Sequence, residues 1–184
     1  HFQGTPYDPY ASYGDASMRG AYRSIGINRN EFCALIQMRP GHKADCGTVE
    51  WLAFASNAFN VLAPFYADVE ETPEYLENTT AEVSTDNFYW VSRMIAAMAD
   101  ASYSKSLIHV ERCQESVAAK SHQLLNRYDA LLEKEEDAQK RRALRHEANR
   151  AVADMVKKEL AGTLDRVLYE LSGQMKNAYS RSDA

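Results

Sequence analysis

Three cysteines, Cys33, Cys46 and Cys113, and five histidines, at positions 1, 42, 109, 122 and 146, are the first residues to test for chemistry in this 184-residue chain. A thiol attacks a carbonyl well only when its pKa is lowered and a base lies within reach. Cys113 has His109 four residues upstream, a spacing that puts both on one helical face and would allow a thiolate–imidazolium pair. The blander reading weighs more: free cysteines are commonly buried as small hydrophobes, and this spacing is ordinary in a helix. No Gly-x-Ser-x-Gly elbow supplies another nucleophile. Neither Cys-x-x-Cys nor His-Glu-x-x-His occurs, so no metal site is expected, and no glycine-rich loop is shaped to cradle phosphate. Lys140-Arg141-Arg142 with Arg145 is a basic run. It follows Glu136 and Asp137 at i, i+4 spacing with the acid first, which reads as a solvated helix face laced by ion pairs.

The elements that must position such residues divide at about residue 82. Residues 1–100 carry 13 acids and 6 bases, net −7, and hold all five prolines. Residues 101–184 carry 13 acids and 15 bases, net +2, and are rich in helix formers. The expected class is α+β, a small antiparallel sheet followed by long helices, with a loop and strand region over 1–82 and a helical region over 83–184. Residues 1–20 read as loop. Residues 22–27 and 32–38 are apolar runs around Asn28-Arg29-Asn30-Glu31, which predicts a hairpin. Residues 49–54 predict a third strand. Residues 55–66, with Asn57, Asn60 and Pro64, read as a loop across a buried surface. Ser84-Thr85-Asp86 is expected to cap a helix whose inner face is Phe88, Val91, Ile95 and Met98. A second helix is expected from Ser104 or Ser106, facing inward through Leu107, Val110, Val117, Leu124, Tyr128 and Leu131. A third is expected from about Asp137 to Ala178, weakened at Gly162 and Gly173.

Composition bounds the function. Apolar residues are 45% and charged residues 26% of the chain, which excludes a disordered polyelectrolyte. A formal charge of −5 argues against nucleic acid as the main partner. No apolar run approaches the ~20 residues that span a bilayer, and no signal peptide is visible, so no membrane partner is expected. An odd number of widely spaced cysteines favours a reduced, cytoplasmic setting, with one disulfide plus one free thiol as the alternative. The chain opens on His1-Phe2-Gln3 rather than Met, which suggests that it begins inside something longer.

Five words in the sequence carry a family resemblance. They are His1-Phe2-Gln3-Gly4-Thr5-Pro6-Tyr7-Asp8, then Arg23-Ser24-Ile25-Gly26-Ile27-Asn28-Arg29, then Ile36-Gln37-Met38-Arg39-Pro40. Trp51-Leu52-Ala53-Phe54-Ala55 follows, with Asn60 and Pro64-Phe65-Tyr66-Ala67, and last Val83-Ser84-Thr85-Asp86-Asn87-Phe88-Tyr89-Trp90. In this order and spacing, over roughly residues 1–103, they resemble bacterial PepD-like cysteine dipeptidases of the N-terminal-nucleophile hydrolase family. The resemblance implies a four-layer αββα sandwich and an N-terminal cysteine whose own α-amine is the base. An amine with a pKa of ~8 beside a thiol of ~8.5 suits that proton transfer near neutral pH. An oxyanion hole would then hold the tetrahedral intermediate.

Residue 1 here is His, and none of the three cysteines matches the nucleophile. The resemblance therefore implies the C-terminal portion of a dipeptidase, without a catalytic residue, metal or cofactor of its own and inactive alone. Its expected partners are dipeptide substrates and the missing N-terminal half. The implied substrate-binding candidates are Thr5, Tyr7 and Asp8 in the first loop, Arg23 and Arg29 beside the hairpin, and Asn57, Asn60 and Tyr66 in the later loop. Arg23 and Arg29 suit a substrate carboxylate because guanidinium forks bind carboxylates bidentately. The competing reading for Asn57 and Asn60 is satisfaction of backbone groups in a buried loop. The rival function is a helical interaction or dimerisation module, a homo-oligomer included, since unpaired strand edges invite association.

Overall fold

A computed structural model describes residues 17, 30–77 and 79–175. Among the described residues the order is β1 (Phe32–Met38), β2 (Thr48–Phe54), β3 (Ala63–Tyr66), a 3-10 turn (Glu74–Leu76), α1 (Phe88–Ala101), α2 (Tyr103–Lys134) and α3 (Ala138–Ser172). The expected α+β class, with a small antiparallel sheet followed by long helices, is what these elements form. The strand expected over 22–27 lies outside the described residues.

β1 and β2 are antiparallel, from Phe32 opposite Phe54 to Met38 opposite Thr48. The turn between them is closed by Arg39 N–H donating to Gly47 O at 2.7 Å. A Cβ at Gly47 would lie 3.3 Å from Arg39 O, so a larger residue there would have to push the Arg39 backbone back by a few tenths of an ångström. β2 ends at Ala55, whose φ of 65° turns the chain in the left-handed region. Ala55 N–H donates to Glu31 O at 2.8 Å, and Asn60 Nδ2 donates to Ala55 O at 3.3 Å.

Residues 63–66 correct the sequence reading: they are a strand, paired from Val49 opposite Tyr66 to Leu52 opposite Ala63. Pro64 suggested a loop, and its placement explains why a strand survives it. Tyr66 turns its backbone N–H and C=O away from β2, toward Asn149 of α3. Pro64 is two residues earlier and has the same orientation, so its missing N–H falls on the side that makes no ladder bond with β2.

Asn87, not Ser84-Thr85-Asp86, caps α1. Its side-chain oxygen accepts from Trp90 N–H at 3.2 Å while Nδ2 donates to Glu77 O at 3.0 Å. Ser84 instead accepts from Asp86 N–H, and Asp86 pairs with Lys157 at 2.8 Å. Ser102 is the corner between α1 and α2, so α2 begins earlier than its serines suggested. Asp137, near which the third helix was expected to begin, caps α3 by accepting from Gln139 N–H and Lys140 N–H. These hydrogen bonds hold its carboxyl below the usual range. α3 stops at Ser172 with Gly173 as its cap, short of Ala178, while Gly162 stays inside the helix.

The core lies between the helices and the sheet. Phe88, Val91 and Ile95 of α1 meet Val110 and Val117 of α2 and Val152, Val156, Leu160 and Val167 of α3. Phe54 makes an edge contact with Phe88 at 4.9 Å between centroids. A second cluster joins Cys46, Val49 and Tyr66 to Leu125, Tyr128, Leu132 and Ala148. Leu131, expected inside, is exposed and Leu132 is buried, because the inner line steps four residues on from Tyr128. β1 differs from the rest: all seven of its residues are exposed. No helix among the described residues is long and apolar enough to cross a membrane.

Candidate functional site

Of the eight implied substrate contacts, Thr5, Tyr7, Asp8, Arg23 and Arg29 lie outside the described residues. Asn57 and Asn60 belong to the connection between β2 and β3, whereas Tyr66, expected in the same loop, is the last residue of β3. Asn57 is exposed at the tip of its turn. Asn60 is half-buried, and its side-chain amide is spent on Ala55 O, while its backbone carbonyl accepts from Gln114 Nε2 at 2.9 Å. Asn60 thus ties the left-handed corner at Ala55 to α2.

Tyr66 is the centre of a buried polar cluster. Its hydroxyl donates to Asp129 Oδ1 at 2.7 Å. Arg39 Nη1 reaches Asp129 Oδ2 at 2.7 Å, Nη2 reaches Cys46 O at 2.7 Å, and the guanidinium stands 5.6 Å over the Tyr66 ring. Asn149 Oδ1 accepts from Tyr66 N–H at 2.8 Å and its Nδ2 donates to Tyr66 O at 3.0 Å. One side-chain amide therefore does for β3 what a neighbouring strand would do. Burial first, and then the Asp129 carboxylate, push the Tyr66 phenol well above its ordinary pKa, so it stays protonated.

A second ionic group fastens the β1–β2 turn to α3. Asp45 Oδ2 accepts from Arg141 Nε at 2.9 Å and from Arg145 Nη1 at 3.1 Å. Arg145 also donates to Asp68 O at 2.9 Å, and its side chain is only 5% exposed. Burial opposes charge on Asp45, but hydrogen bonds from Arg141 and Cys46 and the two guanidinium charges outweigh it and hold the carboxyl low. This corrects the reading of the basic run as a solvated face. Arg141 and Arg145 are tertiary anchors, and Arg142 pairs with Glu70. Arg39, Asp129, Asn149 and Asp45 had drawn no attention as polar anchors. Their partners are up to 100 residues away, so spacing gives no signal for them.

All three thiols are free. Cys33 is exposed on β1. Cys46 is buried against Asp45, and burial followed by that carboxylate raises its pKa. Cys113 points its thiol at Glu159 O, 3.9 Å away, and burial pushes its pKa up. His109 turns to Glu170 at 3.4 Å. The i, i+4 spacing of His109 and Cys113 therefore yields two separate contacts, with the thiol kept neutral, which is the opposite of what a nucleophile needs. Among the described residues no group of three or more His, Cys, Asp or Glu is arranged to hold a metal ion.

Comparison with protein families matches residues 1–116 to peptidase family C69. The chain belongs to that family. A dipeptidase of Bifidobacterium longum (strain NCC 2705) is 38% identical over 220 aligned residues, covering 100% of this chain and 41% of the relative. Probable dipeptidase A of Streptococcus pyogenes serotype M3 is 36% identical over 183 residues, covering 100% of this chain and 38% of the relative. Dipeptidase A of Lactobacillus helveticus is 38% identical over 103 residues, 56% of this chain and 22% of its own. The chain thus spans about two-fifths of the length of the two longer-matched relatives. In this C69 chain the family match ends inside α2. Asp129, Arg145 and Asn149, which hold the matched strands in place, come from beyond it.

Proposed function

We propose that this chain is the C-terminal portion of a cysteine-type dipeptidase that hydrolyses small unblocked peptides, with the nucleophile supplied from outside these 184 residues. The carrying observation is that relatives named dipeptidase match the whole chain, which spans only about two-fifths of their length. The state of the thiols agrees with it. Two of the three are buried and held neutral, and among the described residues none hydrogen-bonds a histidine.

The exposed strand β1 agrees as well. Phe32, Leu35, Ile36 and Met38 face solvent, with Ile36 71% and Met38 80% exposed. Among the described residues no strand pairs with the outer edge of β1, and an exposed apolar strand is a surface that wants cover. In this reading the remainder of the dipeptidase covers it and completes the αββα sandwich. Asn57, Asn60 and Tyr66, together with Thr5, Tyr7, Asp8, Arg23 and Arg29, then supply the substrate side. Tyr66 does so by holding β3 in place, since its hydroxyl is committed to Asp129 and its backbone N–H and C=O to Asn149. The free thiols suit a reducing, cytoplasmic compartment.

The same exposed strand favours a second reading, a self-associating module without catalysis. One experiment separates the two. Release of free amino acids from a dipeptide panel is measured for this chain and for a chain extended to the relatives' length. Activity in the extended chain alone supports the dipeptidase portion; activity in neither, with a dimer of this chain in light scattering, supports the module. Hydrolysis by this chain alone would overturn both.

A further inference from the structure

We propose that the cleft between α2 and α3 binds a small oxyanion group, a carboxylate or a phosphate. The cleft holds about 340 Å3, the small end of ligand pockets. His109, Arg112 and Ser116 of α2 and Glu159, Thr163 and Arg166 of α3 line it, with Cys113 at its buried floor. Neither guanidinium has an acidic partner among the described residues, while the carboxylates beside them are already engaged. Glu159 takes Lys120 at 2.6 Å, and Glu170 faces His109 at 3.4 Å. The Lys120 hydrogen bond, ahead of a smaller opposing effect of burial, keeps Glu159 ionised below its usual pKa. Lys120 thus neutralises Glu159, Glu170 is engaged by His109, and among the described residues no carboxylate pairs with the two arginines around this concavity.

Two cations brought together from separate helices repel until an anion lies between them. Guanidinium forks match the planar carboxylate and the phosphate face bidentately, which a lone ammonium does not. The floor is uncharged, because the Cys113 thiol is neutral and the Thr163 hydroxyl is spent on Glu159 O at 2.8 Å. Selectivity for the charged end of a ligand then rests on Arg112 and Arg166 at the rim.

The test is titration calorimetry of this chain with inorganic phosphate and, separately, with succinate, at constant ionic strength. Amide NMR shifts report where each probe sits. The expected result is saturable binding of at least one probe, with shifts at Arg112, Ser116, Thr163 and Arg166. Arg166→Gln should weaken it by about tenfold or more, and combining it with Arg112→Gln should abolish it. Both arginines are exposed, so the ligand-free melting temperature should stay unchanged and confirm an intact fold. Binding of phosphate alone or of succinate alone names the source of the oxyanion, and either supports the site. No saturable binding of either probe overturns the proposal, as does binding that the double variant leaves undiminished.

Discussion

Replacing Asn149 with Ala should destabilise the chain out of proportion to the few atoms removed. Asn149 is 2% exposed, and its amide closes both free backbone groups of Tyr66, at 2.8 and 3.0 Å. Truncation leaves a buried N–H and a buried C=O without partners, each costing about 1–3 kcal/mol. The expected loss is about 2–5 kcal/mol. For a chain of this size that is a fall in melting temperature of about 5–15 °C. Asn149→Asp sharpens the test. The ionised carboxylate keeps an acceptor for Tyr66 N–H but loses the donor and sets negative charge against Tyr66 O. When protonated, the carboxyl regains a donor. Its pKa should therefore be raised in the folded state, so that this variant's deficit against the native chain is largest at neutral pH and shrinks as pH falls toward ~4. Urea unfolding gives the free energies, and hydrogen exchange at the Tyr66 amide reads the lost bond directly. A loss below about 1 kcal/mol for Asn149→Ala, or unchanged exchange at Tyr66, would refute the view that one side chain stands in for a strand.

Tyr66→Phe should cost about 1–2 kcal/mol at neutral pH by removing the hydrogen bond to Asp129. Burial raises the phenol pKa of both Tyr66 and Tyr75 in the folded state, so this stability is intact below about pH 10 and lost as pH rises beyond it; Tyr66→Phe should flatten that alkaline loss in thermal melts. Asp45→Asn should cost about 1–3 kcal/mol because buried Arg145 loses its carboxylate. Asp45 has a lowered folded pKa, so its share of stability is present above about pH 4 and disappears as pH falls; acid unfolding of the variant should lack that component. Ile36→Lys should leave stability of this chain within ~0.5 kcal/mol while reducing any self-association seen by light scattering, and an equal destabilisation would mean that β1 is covered within the chain.

Much of the frame was legible because it rests on local regularities. The apolar runs at 32–38 and 49–54 became β1 and β2, and the periodic lines through Val91, Val117 and Val152 became the inner faces of three helices. Asp137 was readable as the start of α3 because a proline-free stretch of helix formers follows it. Asn87 was not, since Ser84, Thr85 and Asp86 beside it are equally good cap types and only their tertiary partners distinguish them. β3 was misread because Pro64 argues against a strand until its orientation is known.

By itself the sequence determined the class, the two longer strands, the run of three helices and the family, since periodicity, turn residues and ordered words are written along the chain. Only the tertiary structure decided which polar residues hold it together. Arg39 meets Asp129, Tyr66 meets Asn149 and Asp45 meets Arg145 across 83 to 100 positions. No local preference encodes such pairs; they exist because packing α2 and α3 onto the sheet buries each group where an unpaired charge or amide would be costly. The same packing separated His109 from Cys113 and brought Arg112 to Arg166, giving each residue a role that its neighbours in sequence did not announce.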